Sequence, residues 1–341
     1  MQNCILHLKF IWLLIGLSAA VGAGAQDLHY SQFYNSPLNV NPALAGSFNG
    51  DHRFTVSHRD QWRFVPVPWT TFSGAWDMNI LPSGSEKTFY GIGANVNYDR
   101  QGDSRLTLLN LTLNGAVHRS LNAKNIVSLG AGVGLATRGF DTGSLTWDKQ
   151  WDGDVFDTSL PSQEAFQNTE RIFFIETSLG AKYLYQKSSR TNVELGIGAN
   201  HLIEPKTSFS TAGDIRLPRR FSFTGVGNFR LTEKLDFQAH LLHQIQNKYN
   251  ETVFGGLGKL YLSQQRGKEL QMHLGLGYRT SGSFIPTLAF QVNEIYAGFN
   301  LDIDRTGFNK ALNTSRGAYE IHLRYIIKNV KPFRFKNCPI L

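Results

Sequence analysis

Gly102-Asp103-Ser104-Arg105-Leu106 has the residue types of the nucleophile box of one lipase family. Such a serine needs a turn after the first strand of an α/β sheet and a histidine near the C-terminus to take its proton. Here the residues on both sides alternate as strands do, so the serine falls in a loop between two strands of one sheet. Gly255-Gly256-Leu257-Gly258-Lys259 has the glycines of a phosphate loop without its spacing. Leu260 stands where a hydroxyl would meet the metal. His240 and His243 are three apart on a strand, hence on opposite faces, and cannot share an ion. Asp148, Asp152, Asp154 and Asp157 crowd beside Trp147 and Trp151. Clustered carboxylates can hold calcium through oxygen. The spacing is not that of an EF-hand, and a solvated acidic loop is the simpler reading. No coherent Ser–His–acid set emerges. The chain reads as non-enzymatic, with no catalytic, cofactor-binding or metal residue assigned.

The elements that would position these groups are strands. Tyr90, Ile92, Ala94, Val96 and Tyr98 alternate with Gly91, Gly93, Asn95 and Asn97. A strand puts the two sets on opposite faces, one apolar and one small and polar. About fourteen segments repeat this pattern between residues 53 and 327. One carries Phe72, Gly74, Trp76, Met78 and Ile80 against Thr71, Ser73, Ala75, Asp77 and Asn79. Another sets Val127, Leu129, Ala131, Val133 and Leu135 against Ser128, Gly130, Gly132, Gly134 and Ala136. Lipid on one side and a polar lumen on the other produce this alternation. The fold class expected is all-β, a transmembrane antiparallel β-barrel over residues 51–327. Pro286 interrupts one segment, so a kink or bulge is expected there.

Connection lengths test the reading independently. Barrels have short turns at the periplasmic end and longer loops outside. Connections after even-numbered strands are tight, as in 120–124, 187–191, 232–233 and 293–294. The longest follow odd-numbered strands, at 141–171, 203–218 and 305–316. That parity supports an even count near fourteen, and since a miscounted pair would preserve it, twelve and sixteen satisfy it equally. Tyr90 and Tyr98 lie roughly 26 Å apart along a strand. Tilted, that separation matches the aromatic girdles flanking an apolar band of about 25 Å.

The net charge of +8 comes from scattered Lys and Arg with no stripe, which points to a basic lumen or rims and away from nucleic acid. Lys9, the apolar run from Phe10 to Val21 and Ala23-Gly24-Ala25 read as a signal peptide over residues 1–25, cleaved near Ala25. Cys4 leaves with it, outside any lipoprotein-type cleavage context. Cys338 is then the only cysteine, so no intramolecular disulfide forms. Residues 26–50 do not alternate and contain Pro37 and Pro42. They are expected to lie in the lumen as a plug or hatch, seated against lumenal glycines that permit close backbone approach. In Asn41-Pro42-Ala43 the proline fixes φ and the asparagine can cap its own turn. The tail, 328–341, carries Lys328, Lys331, Arg334 and Lys336. Exposed Trp147 and Trp151, with Asp152 and Asp154, mark the long loop as a candidate partner-binding surface.

His29-Tyr30-Ser31-Gln32-Phe33-Tyr34, Pro37-Leu38 and Asn41-Pro42-Ala43-Leu44-Ala45-Gly46 resemble the start of the PorP/SprF family. That family comprises outer-membrane proteins of the type IX secretion and gliding apparatus in Bacteroidota. The resemblance continues through Arg59-Asp60-Gln61-Trp62, where the family usually has Asn for Asp60, and through Thr71-Phe72-Ser73-Gly74-Ala75-Trp76-Asp77. Cys338-Pro339 is similar to the family's Cys-Pro tail, but the chain ends Ile340-Leu341 instead of in an aromatic residue. Asn41-Pro42-Ala43 also resembles the N-terminal hatch of the fourteen-stranded long-chain fatty-acid transporter barrels. The PorP/SprF resemblance implies a role without catalysis or cofactors. It implies an outer-membrane protein that helps secrete or anchor adhesin-type cargo. It also implies association with periplasmic machine components, including a peptidoglycan-binding lipoprotein. Lys331, Arg334 and Lys336 become candidate periplasmic contacts, while Asn41, Pro42, Ala43 and Gly46 read as structural plug residues. The alternative is an outer-membrane transport barrel for small molecules.

Overall fold

A computed structural model describes residues 27–62, 69–82, 87–102, 104–141, 145–163, 171–209, 214–265, 267–304 and 316–328. The signal-peptide residues and Lys331, Arg334 and Lys336 lie outside them. The strands are His52–Gln61 (β1), Trp69–Ile80 (β2), Thr88–Gln101 (β3), Leu106–Ser120 (β4), Asn125–Gly139 (β5), Arg171–Gln186 (β6), Asn192–Asn200 (β7), Arg220–Arg230 (β8), Leu235–Gln246 (β9), Tyr249–Gln265 (β10), Lys268–Arg279 (β11), Ser283–Val292 (β12), Ile295–Asp304 (β13) and Arg316–Ile327 (β14). Each pairs antiparallel with its sequence neighbours, and β1 closes on β14 to complete a barrel. Closure removes the unpaired edges that an open sheet would present to lipid.

Alternation sorts the side chains as hydrocarbon on one side and polar lumen on the other require. In β5, Leu129 and Leu135 stand outside at 68% and 71% exposure while Ser128 is buried inside. In β6, Phe173 projects outward at 78% and Glu176 is buried within. Such an apolar belt around the whole cylinder is incompatible with water and fits a bilayer. No helix among the described residues is long and apolar enough to cross a membrane; the crossing is made by strands. The short connections, including 121–124, 187–191 and 293–294, gather at one end of the barrel, and the strand ends Gly139, Asn200 and Asp304, from which the longer connections leave, lie at the other.

Pro286 causes no bulge. It stands opposite Leu276 of β11, and β12–β13 pairing lapses at Ile285 and Pro286 before resuming at Thr287 and Asn300 in unchanged register. The missing N–H removes a rung without adding a residue. Register shifts occur instead between Tyr261 and Ser263 and between Asp302 and Ile303.

Residues 27–50 lie inside the cylinder. They form three 3-10 turns, Phe33–Asn35, Pro37–Asn39 and Pro42–Leu44. Asp27 sits at the long-loop end, where its N–H donates to Gln246 at the end of β9. The segment then descends, and Asp51 N–H donates to Ile327 O at the short-turn end before β1 begins. Its apolar side chains Phe33 and Val40 pack with inward-facing Leu242, Val253 and Ile285.

Candidate functional site

The N-terminal segment is seated first by shape. Asn41 caps the turn Pro42–Leu44, its Oδ1 accepting from Ala43 N–H at 2.9 Å, while its Nδ2 donates to Ala181 O at 3.0 Å. The β5 backbone passes so close to Ala43 that a Cβ on Gly130 would overlap it, and a Cβ on Gly91 would overlap the carbonyl of Ala45. Gly46 takes φ +68°, a left-handed conformation that turns the chain toward β1. Its N–H donates to Asp77 Oδ2 at 2.8 Å, and Arg53 holds the same carboxylate by two bonds of 2.9 and 2.7 Å. Arg53 also donates to Leu44 O at 3.1 Å. Asn41, Pro42, Ala43 and Gly46 are thus brought to one stretch of lumen wall.

Charge seats the segment next. Inward-facing Arg59 of β1 pairs with Asp302 of β13 at 3.0 Å and with Glu320 of β14, its register partner across the closing seam. Arg279 of β11 pairs with Glu251 at 2.6 Å and Asp302 at 3.2 Å. The segment enters this cage at Ser31 and Gln32, whose N–H groups donate to the two Glu320 oxygens at 2.8 and 3.2 Å. The Ser31 hydroxyl donates to Asp302 at 2.9 Å and accepts from Arg279 at 2.6 Å. Glu320 and His322 are wholly buried, and His322 lies 3.1 Å from Glu320. Buried charges persist only when paired and hydrogen-bonded, as these are.

A second cluster holds the segment's first residue at the long-loop end. Asp27 lies 2.6 Å from Arg220 and 2.8 Å from His201, whose other ring nitrogen lies 2.5 Å from Glu176. Burial disfavours charge on His201, but the carboxylates of Asp27 and Glu176 outweigh it and push its pKa up to about 9. Burial likewise opposes charge on Asp27, and Arg220 and His201 outweigh it, holding the carboxyl well below its ordinary range. The four groups therefore form a neutral chain of two cations and two anions. Arg220 also donates to the carbonyls of Leu28 and Asn39.

The long loop organises its aromatic and acidic residues differently. Trp151 bridges to Phe156 as a two-stranded pair, ring against ring at 4.9 Å. Asp152 accepts from the N–H groups of Asp154 and Val155, each at 2.8 Å, so its carboxylate caps a turn. Those bonds pull its pKa below the ordinary value. Trp147 immediately precedes the 3-10 turn Asp148–Gln150. Among the described residues no three His, Cys, Asp or Glu side chains converge as metal ligands. His240 and His243 point to opposite faces, His240 inward. Arg105, in the turn between β3 and β4, pairs with Asp141 at 3.7 Å and is exposed.

The sequence marked Arg59 only as part of a family stretch, without a role, and singled out none of Arg279, Asp302, Glu320, Asp27, His201 or Arg220. A signal was present in the run Glu320, His322 and Arg324, which alternates with Ile321, Leu323 and Tyr325. Charged residues in phase with the polar face of a barrel strand point into the lumen together, so they must meet partners there.

The family profile described as "Type IX secretion system membrane protein PorP/SprF" matches residues 23–325. No curated protein matches the chain by sequence. Among solved structures, a Pseudomonas aeruginosa FadL homologue is similar with a TM-score of 0.50 at 11% identity, covering 84% of this chain and 92% of that one. The CymD monoaromatic hydrocarbon channel gives 0.47 at 11% identity, over 90% and 96% of the two chains. The Pseudomonas putida toluene transporter TodX gives 0.47 at 10%, over 85% and 92%. At these identities the likeness is one of fold alone.

Proposed function

Because the chain belongs to the PorP/SprF family of type IX secretion system membrane proteins, we propose that it is a non-enzymatic outer-membrane component that holds or passes exported protein at the cell surface. Family membership carries this reading. The lumen supports it physically: residues 27–50 are held to the wall by the buried Asp27–Arg220 ion pair and by the Ser31 and Gln32 N–H groups donating to Glu320, so they act as a plug and the working surfaces lie at the barrel's ends. The long-loop end then faces outside and the short-turn end faces the periplasm. Residues 1–25 serve as the cleaved signal peptide. Adhesin-type cargo engages the long loops, with Trp147, Trp151, Asp152 and Asp154 as first contacts. Periplasmic partners, a peptidoglycan-binding lipoprotein among them, engage the short turns and the tail through Lys331, Arg334 and Lys336. In this reading the host is a member of the Bacteroidota and the machine is shared with gliding.

Affinity purification of the intact protein from its native outer membrane tests the proposal. A large secreted surface protein should be retained, and should be lost when residues 145–163 are replaced by a short Gly/Ser link. A second reading, a transport barrel for small molecules, draws on the fold shared with the FadL homologue. It expects ion conductance or ligand uptake in liposomes. A purified barrel that conducts freely and retains no partner would overturn the secretion role in favour of transport.

A further inference from the structure

We propose that the short-turn end of the lumen holds a binding site for the oxyanion group, carboxylate or phosphate, of a small solute. Two cavities of about 270 and 250 Å³ lie there beneath the N-terminal segment. They share Tyr34, Asn228, Gln238, Lys259 and Arg324 as walls, and Ser189 and Arg190 of the turn between β6 and β7 line the outer one. The site opens toward the end that carries those turns.

The charge balance of these walls is uneven. Arg190 at the mouth is matched by Asp236 at 2.6 Å, and Arg53 by Asp77 at 2.7 Å. Glu194 lies 3.6 Å from Lys182. Lys259 and Arg324 have no carboxylate partner among the described residues. Lys259 Nζ donates to the Asn228 amide oxygen at 2.7 Å. Arg324 reaches the Asn35 amide oxygen at 3.4 Å and lies over the Tyr296 ring at 4.7 Å. Elsewhere in this lumen each buried arginine cage carries its own carboxylates, as at Arg59, Arg279 and Arg220. Asp236 stands opposite Lys259 in the β9–β10 register, but its carboxylate is bonded to Arg190 and Tyr261. Glu194 faces Lys182, so positive charge on these walls outnumbers negative. Cations in such excess around one polar cavity are costly to hold and attract an anion.

Register shapes the site for an oxyanion in particular. Tyr261, Gln271, Gln291, Tyr296 and Arg324 stand opposite one another on β10 to β14, and Lys259 lies one inward-facing level deeper, opposite His273. The row offers a planar guanidinium fork, a point-charged ammonium and amide N–H donors around one space. That is the donor set that grips carboxylate or phosphate oxygens. The cavity admits a small solute and not a folded domain. This site is independent of the secretion reading, since a partner-holding barrel and a transport barrel could each contain it.

Calorimetric titration of the purified full chain in detergent at low ionic strength tests it, with sodium phosphate and sodium succinate as probes and sodium chloride of equal ionic strength as reference. Saturable binding of at least one probe is expected, with stronger succinate binding marking a carboxylate ligand and stronger phosphate binding a phosphate-bearing one. Lys259→Gln and Arg324→Gln should each weaken it roughly tenfold or more. Lys234→Gln, on the exposed turn between β8 and β9, should leave it unchanged. Heat-dependent gel mobility verifies that each variant is a closed barrel. Should a neutral variant fail that check, Arg324→Lys keeps the charge without the fork and should weaken binding by a smaller factor. Binding of neither probe above chloride, or binding indifferent to every substitution of Lys259 and Arg324, would overturn the proposal.

Discussion

Glu320→Gln should release the N-terminal segment while leaving the cylinder closed. The carboxylate accepts from the N–H groups of Ser31 and Gln32 and pairs with Arg59, and its side chain is wholly buried. The amide keeps the shape but removes the charge, and it turns one acceptor into a donor that faces other donors. Breaking one partner of a buried ion pair costs about 3–5 kcal/mol. The β13–β14 and β1–β14 ladders are backbone pairings that the substitution does not touch, so most of this loss falls on the docking of residues 27–50. Local opening of the segment should therefore become more frequent by roughly two to four orders of magnitude. Hydrogen–deuterium exchange by mass spectrometry reads this directly, with peptides from 27–50 exchanging faster and peptides from β5 and β6 unchanged. Unaltered exchange in the segment would refute the assignment of Glu320 as its anchor. Equal acceleration everywhere would show that segment and barrel open as one unit.

Protection of residues 27–35 should depend on pH through His201 and Asp27. The raised histidine contributes fully below its ordinary 6.5 and loses that contribution as pH rises through about 9. The depressed carboxyl contributes above its ordinary 3.8 and loses it as pH falls through its lower folded value. Limited proteolysis at pH 6 and pH 10 should show the alkaline release, and His201→Asn should abolish its pH dependence. Gly91→Ala places a methyl against the Ala45 carbonyl and should cost about 1–3 kcal/mol, seen as a lower melting midpoint and faster exchange of 40–50. Val133→Arg puts a charge in the outward belt near the middle of β5 and should cost about 2–4 kcal/mol of folding into vesicles, measured by urea titration.

The barrel was legible because its strands answer to two solvents. Lipid outside and polar lumen inside impose a period of two on every strand, and β2, β3 and β5 carry it without interruption. Connection parity followed from the same arrangement. The charge network was not legible, because a partner in a closed cylinder is set by register across many strands. Arg59 and Glu320 are 261 residues apart, and nothing local in either strand names the other. Pro286 shows a second limit: the proline signalled disruption correctly, but whether it costs a rung or shifts a register depends on the neighbouring strand.

The seam between β1 and β14 carries a kinetic implication. Arg59, from the first strand synthesised, finds Glu320 only when the last strand arrives, and Ser31 and Gln32 wait for the same carboxylate. Until then the amino-terminal stretch has an incomplete set of acceptors and no fixed berth. Contacts so distant along the chain form slowly. Closure of the wall and completion of the interior's hydrogen bonds therefore both await the arrival of the last strand.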